Sequence, residues 1–146
     1  MFEPASGEEI GAVLALMREY YAADGYDFDA GRASAALAAL VADPALGRLW
    51  VAREAGVVVA YLAVTYGFSL EYGGRDAFLD ELVVAPAHRG RGLGRRALAV
   101  AEAACRQAGV RALHLDLEPG KPGAARLYRA AGFLPLPRRR LTKRLA

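Results

Sequence analysis

Glycine alternates with basic and apolar side chains in the stretch Arg89-Gly90-Arg91-Gly92-Leu93-Gly94-Arg95-Arg96. The apolar run over residues 77–84 in front of it predicts a β-strand, and apolar side chains on one face of residues 92–108 predict a helix. Glycine lets the backbone turn tightly and approach a ligand closely. The N–H groups and partial positive charge of a helix's first turn suit a phosphate. Residues 90–95 are therefore predicted to bind an anion.

The spacing of these glycines separates the turn from two other phosphate-binding loops. Gly90, Gly92 and Gly94 follow a G-x-G-x-G pattern, whereas the dinucleotide fingerprint is G-x-G-x-x-G. No G-K-S/T follows, as a nucleotide P-loop would require. Arg89, three residues before Gly92, favours an anion site over a plain strand-to-helix turn, which stays the alternative.

Charge is divided unevenly along the chain. Residues 1–85 hold 13 acidic and 5 basic side chains, whereas residues 86–146 hold 3 acidic and 14 basic ones, and the whole chain is at +3. This asymmetry indicates that the second half meets an anion and that the first half meets a cation. Solvated surface charge is the alternative interpretation.

Working outward from the turn, hydrophobic periodicity and turn residues predict the remaining elements. The predicted helices cover residues 8–22, 29–42 and 123–131, and the further strands cover 49–53, 57–66, 112–117, 133–136 and 140–143. Ser6 and Asp29 are predicted helix caps, and Glu54-Ala55-Gly56 is a predicted hairpin turn. Strands that first follow one another and then alternate with helices predict a mixed α/β sheet in a single domain, residues 1–146.

Composition excludes several classes of protein. Cys105 is the single cysteine, so an intrachain disulfide and a cysteine-cage zinc site are excluded. His88 and His114 have no ligand partners at metal spacing, so no metal is expected. No apolar run approaches the roughly 20 residues that span a bilayer. The first residues do not have the pattern of a secretory signal, so a cytoplasmic protein is expected.

Two motifs in the second half occur together. Arg89, Gly92 and Gly94 fit the pattern R/Q-x-x-G-x-G/A at the end of a strand, and Tyr128-Arg129-Ala130-Ala131-Gly132-Phe133 fits Y-x-x-x-G-F, with Ala124 upstream. In this pair of motifs the chain resembles the GNAT superfamily of acyl-CoA-dependent N-acetyltransferases. The resemblance covers most of the chain and implies the acyl-CoA N-acyltransferase fold, a mixed, mostly antiparallel twisted sheet with helices on both faces.

The resemblance also implies a cofactor and its contacts. Acetyl-CoA would pair its pantetheine arm with the backbone of a splayed strand and rest its diphosphate on the amides of the glycine turn. The implied positions are Leu82, Val83 and Val84 on the strand and Arg89, Gly90, Arg91, Gly92, Leu93, Gly94 and Arg95 in the turn. By the same resemblance Tyr128 lies at the cofactor sulfur and acts as the acid. Simple packing of its ring on the sheet is the alternative.

Two acidic residues interrupt the apolar strand before the turn. Asp80 and Glu81 stand where carboxylates are disfavoured, and a carboxylate can remove the proton from an attacking amine. Neighbouring strand residues face opposite sides, so at most one of the two is expected to face the reaction. Glu81 is slightly preferred. A solvated strand end carrying both is the alternative.

The acceptor is predicted only as an amine, because carboxylates and aromatic faces can hold an ammonium group. The first half carries both kinds of side chain: Asp24, Asp27, Asp29, Glu71 and Asp76, with Tyr20, Tyr21, Tyr26, Phe28, Tyr66, Phe68 and Tyr72. A small-molecule or peptide amine fits, and the alternative is that these residues are core and surface.

The predicted activity is acetylation of a primary amine by direct attack, with no membrane or nucleic-acid partner. A non-catalytic acyl-CoA-binding module is one rival. A nucleic-acid-binding domain using Arg138-Arg139-Arg140 is another, although three arginines without interleaved aromatic residues are a poor signal. A homodimer is compatible with the sequence, which does not decide the oligomeric state.

Overall fold

The computed structural model describes residues 1–146 and contains five strands and four α-helices. The strands are β1 (Phe2–Pro4), β2 (Gly47–Glu54), β3 (Val57–Ser69), β4 (Gly74–Val84) and β5 (Ala112–His114). The helices are α1 (Ile10–Asp24), α2 (Ala30–Ala42), α3 (Leu93–Gln107) and α4 (Pro122–Ala130), with 3-10 turns at Gly7–Glu9 and Pro86–His88. The chain divides into two units, Met1–Asp116 and Leu117–Ala146. The single domain expected over 1–146 stays a prediction.

All five strands belong to one sheet in the order β1-β2-β3-β4-β5. The first three pairings are antiparallel and the last, β4 with β5, is parallel. A two-residue turn joins β2 to β3, with Ala55 at φ 51° and Gly56 at φ 79°, the left-handed conformation that such tight hairpins require. The predicted mixed, mostly antiparallel sheet is therefore confirmed.

Local capping determines where the two N-terminal helices begin. Ser6 and Glu9 form a capping box at the 3-10 turn that leads into α1, because the Ser6 N–H donates to the Glu9 carboxylate at 2.9 Å. Asp29 caps α2 by accepting a hydrogen bond from the Arg32 N–H at 3.0 Å. Both predicted caps are confirmed.

Helices cover both faces of the sheet, as expected. Helices α1 and α2 pack on the face formed by alternate strand side chains, and the buried members of this core are Val13, Met17, Leu37, Leu49, Val51, Tyr61, Ala63 and Val83. Helix α3 contacts β3 and β4. Its buried side chains face the opposite set of strand residues, which includes Trp50, Ala60, Leu62 and Val64. The apolar faces of the helices and of the strands are therefore buried together on both sides of the sheet.

A β-bulge interrupts the pairing of β3 with β4. Ala63 pairs with Glu81, whereas the next residue, Val64, pairs with Leu79. Strand β4 therefore contains one additional residue, Asp80, at the bulge. Because a bulge breaks strict alternation and bends the strand, it changes where the side chains on either side of it point. Glu81 falls on the face covered by α1, as its pairing with Ala63 requires.

The predicted C-terminal strands are wrong. Residues 133–136 and 140–143 are irregular and almost entirely exposed, and β5 ends at His114 rather than Leu117. Pro135 and Pro137 lie on either side of Leu136, and neither has a backbone N–H. This segment therefore lacks two of the hydrogen-bond donors that pairing with another strand requires. Alternating leucine and proline produced a strand-like hydrophobic pattern without the hydrogen-bonding capacity of a strand.

Candidate functional site

Strand β4 has an open edge where the predicted cofactor strand lies. Its pairing with β5 stops at Phe78, opposite His114, so residues 82–84 have a strand neighbour on one side only. The Ala85 N–H donates to the Val59 carbonyl at 2.8 Å. Because backbone groups alternate in an antiparallel ladder, Leu82 and Val84 turn their own toward the open edge. An extended ligand can therefore add to this strand.

The glycine turn connects this open edge to α3. Gly90 and Gly92 adopt left-handed conformations, with φ 75° and 84°, which only glycine takes without strain. A Cβ added at either position would meet nothing within 4 Å. Leu93 is buried and anchors the start of the helix, which has no side-chain cap. Space is therefore open beside Gly90 and Gly92 at the start of a helix without a side-chain cap, where an anion is favoured.

Basic side chains surround the turn. Arg89 reaches back to β4, where its Nε donates to the Val84 carbonyl at 3.1 Å. Arg91 and His88 both contact the carboxylate of Glu54 in the β2–β3 hairpin, at 3.2 and 3.3 Å. These contacts fix the turn to the edges of two strands, while the guanidinium of Arg95 lies on the exposed side of α3. The surface around the turn is therefore basic, and side-chain contacts connect the turn to the ends of β2 and β4.

The predicted cofactor residues differ in how far they are buried. Val83 is buried in the core under α1, and Leu93 is buried against the sheet. Arg89, Gly90, Arg91, Gly92 and Arg95 are exposed, and Leu82, Val84 and Gly94 are partly buried.

Glu81 is held by two tyrosine hydroxyl groups. Tyr21, from α1, donates to Oε2 at 2.5 Å, and Tyr61, from β3, donates to Oε1 at 2.6 Å. Glu81 is partly buried, and its neighbour Asp80 is exposed at the bulge. The two candidate bases thus occupy different environments, a desolvated one and a solvated one.

Burial and hydrogen bonding act on Glu81 in opposite directions. Burial raises the pKa of its carboxyl group, since desolvation disfavours the charged form, and the negative charge of Asp80 raises it further. The hydrogen bonds from Tyr21 and Tyr61 favour the charged form and lower the pKa, but the net shift is upward. Burial and the Glu81 charge raise the pKa values of both tyrosines, so they remain donors at neutral pH. A carboxyl whose pKa lies above its ordinary value is suited to proton uptake near neutral pH.

Sequence reasoning grouped Tyr21 with the acceptor-side aromatics and missed Tyr61. The signal for Tyr61 was its place in the middle of an apolar strand, residues 57–64. Its side chain is fully buried, and a buried tyrosine hydroxyl normally requires a hydrogen-bond partner. That partner is Glu81, twenty residues further along the sequence, and the pairing of β3 with β4 brings it to Tyr61.

Only some of the aromatic side chains in the first half come together. Tyr20, Tyr26 and Phe28 pack edge-on around Tyr21, with ring centroids 5.7 to 6.3 Å apart within the group. Tyr66 stands instead beside Arg75. Phe68 is largely exposed in β3. The structure therefore brings four of the seven predicted acceptor-side aromatics to the end of α1 next to Glu81.

The predicted acceptor-side acids are also dispersed. Asp29 serves as a helix cap, and Asp76 contacts the His114 ring at 3.1 Å. His114 packs beside the rings of Tyr72 and Phe78. These acids therefore have structural contacts of their own.

Tyr128 lies on α4, in the second unit. The helix ends at Ala130, and Gly132 at φ 95° reverses the chain. The Phe133 N–H then donates to the Tyr128 carbonyl at 3.0 Å, and the two rings pack at 6.0 Å. Burial raises the pKa of Tyr128, and the positive charge of Lys121 lowers it. This helix-ending turn explains why the motif places glycine and phenylalanine four and five residues after the tyrosine.

Other reactive groups lack the surroundings for separate chemistry. No three His, Cys, Asp or Glu side chains converge to hold a metal ion. Cys105 is buried in α3, and burial raises the pKa of its thiol, so it is a poor nucleophile. No helix combines the length and the apolar character needed to cross a membrane.

Comparison with known proteins connects this geometry to a family. The model described as "Acetyltransferase (GNAT) family" matches residues 13–133. A mycothiol acetyltransferase of Tsukamurella paurometabola is 38% identical over 117 residues, which are 80% of this chain and 35% of that protein. The chain thus spans about a third of the length of this curated relative.

Solved structures share the fold. An integron cassette protein from the mobile metagenome of Cole Harbour Salt Marsh superposes with a TM-score of 0.89 at 35% identity, over 99% of this chain and 90% of that one. An aminoglycoside N-acetyltransferase, AAC(6')-Iy, in complex with CoA has a TM-score of 0.85 at 15% identity, over 100% and 95% of the two chains. The acyl-CoA N-acyltransferase fold expected from the motifs is confirmed.

Proposed function

Because the chain belongs to the acetyltransferase (GNAT) family, we propose that it transfers the acetyl group of acetyl-CoA to a primary amine by direct attack in a ternary complex. The observation that carries the proposal is the position of Glu81. It stands on β4 immediately before residues 82–84, which form the open edge leading into the glycine turn. A desolvated carboxylate and an anion site are therefore joined by one strand.

The residues of this strand and turn fit the cofactor. The open edge of β4 offers the backbone groups of Leu82 and the N–H of Val84 to an amide-containing arm, whereas the Val84 carbonyl already accepts from Arg89. The amides that follow Gly90 and Gly92 offer donors to a diphosphate. The exposed guanidinium groups of Arg91 and Arg95 add positive charge. When bound, acetyl-CoA would supply the acetyl group as a thioester.

The amine must lose a proton before it can attack. An alkylamine with a pKa near 10.4 is neutral in only about one molecule in a few thousand at pH 7. Glu81 is the proposed base, because a carboxyl group whose pKa is raised by burial accepts a proton near neutral pH more readily than an exposed one. Asp80, which is exposed at the bulge, is the second candidate.

The leaving sulfur must be protonated or stabilised. Tyr128 is the proposed donor, on the strength of its place in the Y-x-x-x-G-F motif and of the helix end that fixes it against Phe133. Cys105 is buried, and burial raises the pKa of its thiol, so an acyl-enzyme on that residue is disfavoured. Direct attack by the amine fits this arrangement.

The acceptor is proposed to be a small-molecule or peptide amine. The aromatic group at the end of α1 and the carboxylate of Glu81 can together hold an ammonium group before its proton is removed. One relative is named a mycothiol acetyltransferase and one solved structure an aminoglycoside N-acetyltransferase, and aminoglycosides are one arm of the substrate panel. A cytoplasmic location and a homodimer stay predictions of the sequence.

Release of free thiol from acetyl-CoA tests the proposal when it is measured with a panel of amines. The panel contains polyamines, aminoglycosides, amino sugars and peptides with a free amino terminus. Amine-dependent thiol release supports acetyl transfer. Tight CoA binding without release with any amine would instead support the non-catalytic acyl-CoA-binding module.

Replacing Gly92 with alanine is expected to weaken CoA binding by about tenfold, because the alanine Cβ disfavours φ 84° and moves the amides. Loss of one hydrogen bond to a charged group, about 1.5 kcal/mol, corresponds to about that factor. Titration calorimetry with CoA measures the change. Gly109→Ala is the matched control, because Gly109 has φ 73°, open space for a Cβ and a place at the other end of α3. Equal weakening by both variants would argue against a diphosphate site at the turn.

A further inference from the structure

Resting on the proposed function, we propose that Tyr21 and Tyr61 are positioning residues that hold the Glu81 carboxylate charged and in one orientation for proton uptake. The observation is that each carboxylate oxygen accepts one tyrosine hydroxyl, at 2.5 and 2.6 Å. Neither tyrosine belongs to the two motifs that identify the family, and they come from two different elements, α1 and β3.

Both hydroxyl groups are fixed by their surroundings. Tyr61 is fully buried in the core between α1 and the sheet. Tyr21 is packed edge-on by Tyr20, Tyr26 and Phe28, with ring centroids 5.7 to 5.8 Å away. Tyr61 cannot swing away without opening the packed core, and Tyr21 is held at the margin of that core by its edge-on ring contacts, so the two hydroxyl groups favour one orientation of the carboxylate. Its position is therefore set by tertiary packing as well as by β4.

The charge of Glu81 is stabilised by hydrogen bonds instead of a cation. The titratable groups that face this cluster are Tyr20 and Tyr21 from α1, Tyr61 from β3 and Asp80 from β4. A lysine or arginine at this place would depress the pKa of the carboxyl group and make it a weaker base. Two neutral donors offset part of the desolvation cost and still leave the pKa above its ordinary value. This balance suits a base that works near neutral pH.

Removing one hydroxyl group tests the proposal. Tyr21→Phe deletes a donor to the charged form, so the pKa of Glu81 is expected to rise by about one pH unit, and the acidic limb of kcat/KM is expected to move to higher pH by the same amount. Tyr61→Phe is expected to move it in the same direction. Tyr66→Phe is the matched control, because Tyr66 lies on β3 beside Arg75. It should leave the limb in place.

A second readout does not depend on turnover. The carboxyl carbon of Glu81, assigned by its loss in Glu81→Gln, gives a titration midpoint by carbon NMR in each folded variant. Upward shifts of both the midpoint and the kinetic limb in Tyr21→Phe support the proposal. An unchanged midpoint overturns it. A shifted midpoint with an unchanged limb also overturns it, because the two tyrosines would then hold a carboxylate that the reaction does not use.

These outcomes are distinguishable from failure of acetyl transfer itself. If the unmodified protein releases no thiol with any amine, the proposed function fails. The NMR midpoint still reports whether Tyr21 and Tyr61 hold the carboxylate charged, and an unchanged value in both variants overturns that claim independently.

Discussion

Replacing Tyr128 with phenylalanine is expected to lower kcat by about 100- to 10,000-fold, the usual contribution of a positioned proton donor. The substitution removes one oxygen atom and keeps the ring that packs against Phe133 at 6.0 Å. The dissociation constant for CoA should therefore stay within about twofold. Steady-state thiol release and calorimetry with CoA measure the two quantities separately.

The matched control for this variant is Phe133→Leu. It disturbs the packing of Tyr128 without removing the hydroxyl group, so it reports the cost of a loosened ring alone. A larger loss of kcat in Tyr128→Phe than in Phe133→Leu would identify the hydroxyl as the important group. Unchanged turnover in Tyr128→Phe would show that the assignment of the acid is wrong.

Replacing Glu81 with glutamine is expected to lower kcat/KM by about 100- to 10,000-fold at neutral pH, because the amide cannot accept the proton of the amine. The size of the side chain is preserved, and its amide oxygen can still accept a hydroxyl hydrogen from Tyr21 or Tyr61. The pH profile should change as well. The acidic limb that reports the Glu81 carboxyl group should disappear, leaving only the ionisation of the amine.

In the unmodified protein, that acidic limb is expected above the ordinary glutamate pKa of about 4.3. The sign follows from the causes: burial and Asp80 raise the pKa more than the two tyrosine hydroxyl groups lower it. Only the ionised carboxylate is a base, so activity should fall as the pH drops through this raised value.

Asp80→Asn is the comparison for Glu81→Gln. Asp80 is adjacent in sequence but exposed at the bulge, so this variant should keep the acidic limb and lose far less activity. The opposite ranking, with the larger loss in Asp80→Asn, would transfer the role of base to Asp80.

The sequence predicted those parts of the fold that depend on local interactions. The glycine turn, the hairpin at Ala55 and Gly56, and the caps at Ser6 and Asp29 each depend on residues within a few positions. Their conformations follow from glycine's freedom at positive φ and from short side chains that bind nearby backbone N–H groups. These predictions are confirmed because nothing distant in the chain opposes them.

The environment of Glu81 could not be predicted in the same way. It depends on the pairing of β3 with β4, on the bulge at Asp80, and on α1 bringing Tyr21 over the sheet. Strict alternation predicts that the two acids face opposite sides, whereas the structure places Glu81 on the α1 face and Asp80 exposed at a bulge that alternation does not anticipate. The role of Tyr61 could not be predicted, because a tyrosine in an apolar strand does not indicate which side chain accepts the hydrogen bond from its hydroxyl group.

The error at the C-terminus has a different origin. Phe133 to Leu136 is a short apolar run, as a buried strand would be, but Pro135 and Pro137 cannot donate backbone hydrogen bonds to a neighbouring strand. A count of available backbone donors would have argued against a strand there.

A crystal structure of the protein with acetyl-CoA tests most directly whether one strand joins the diphosphate site to the base. We expect the diphosphate on the amides between Gly90 and Arg95, the pantetheine arm along the edge of β4 at Leu82 and Val84, and the thioester beside Glu81. A cofactor bound elsewhere, with the glycine turn unoccupied and the edge of β4 covered by the protein's own chain, would contradict the proposed function.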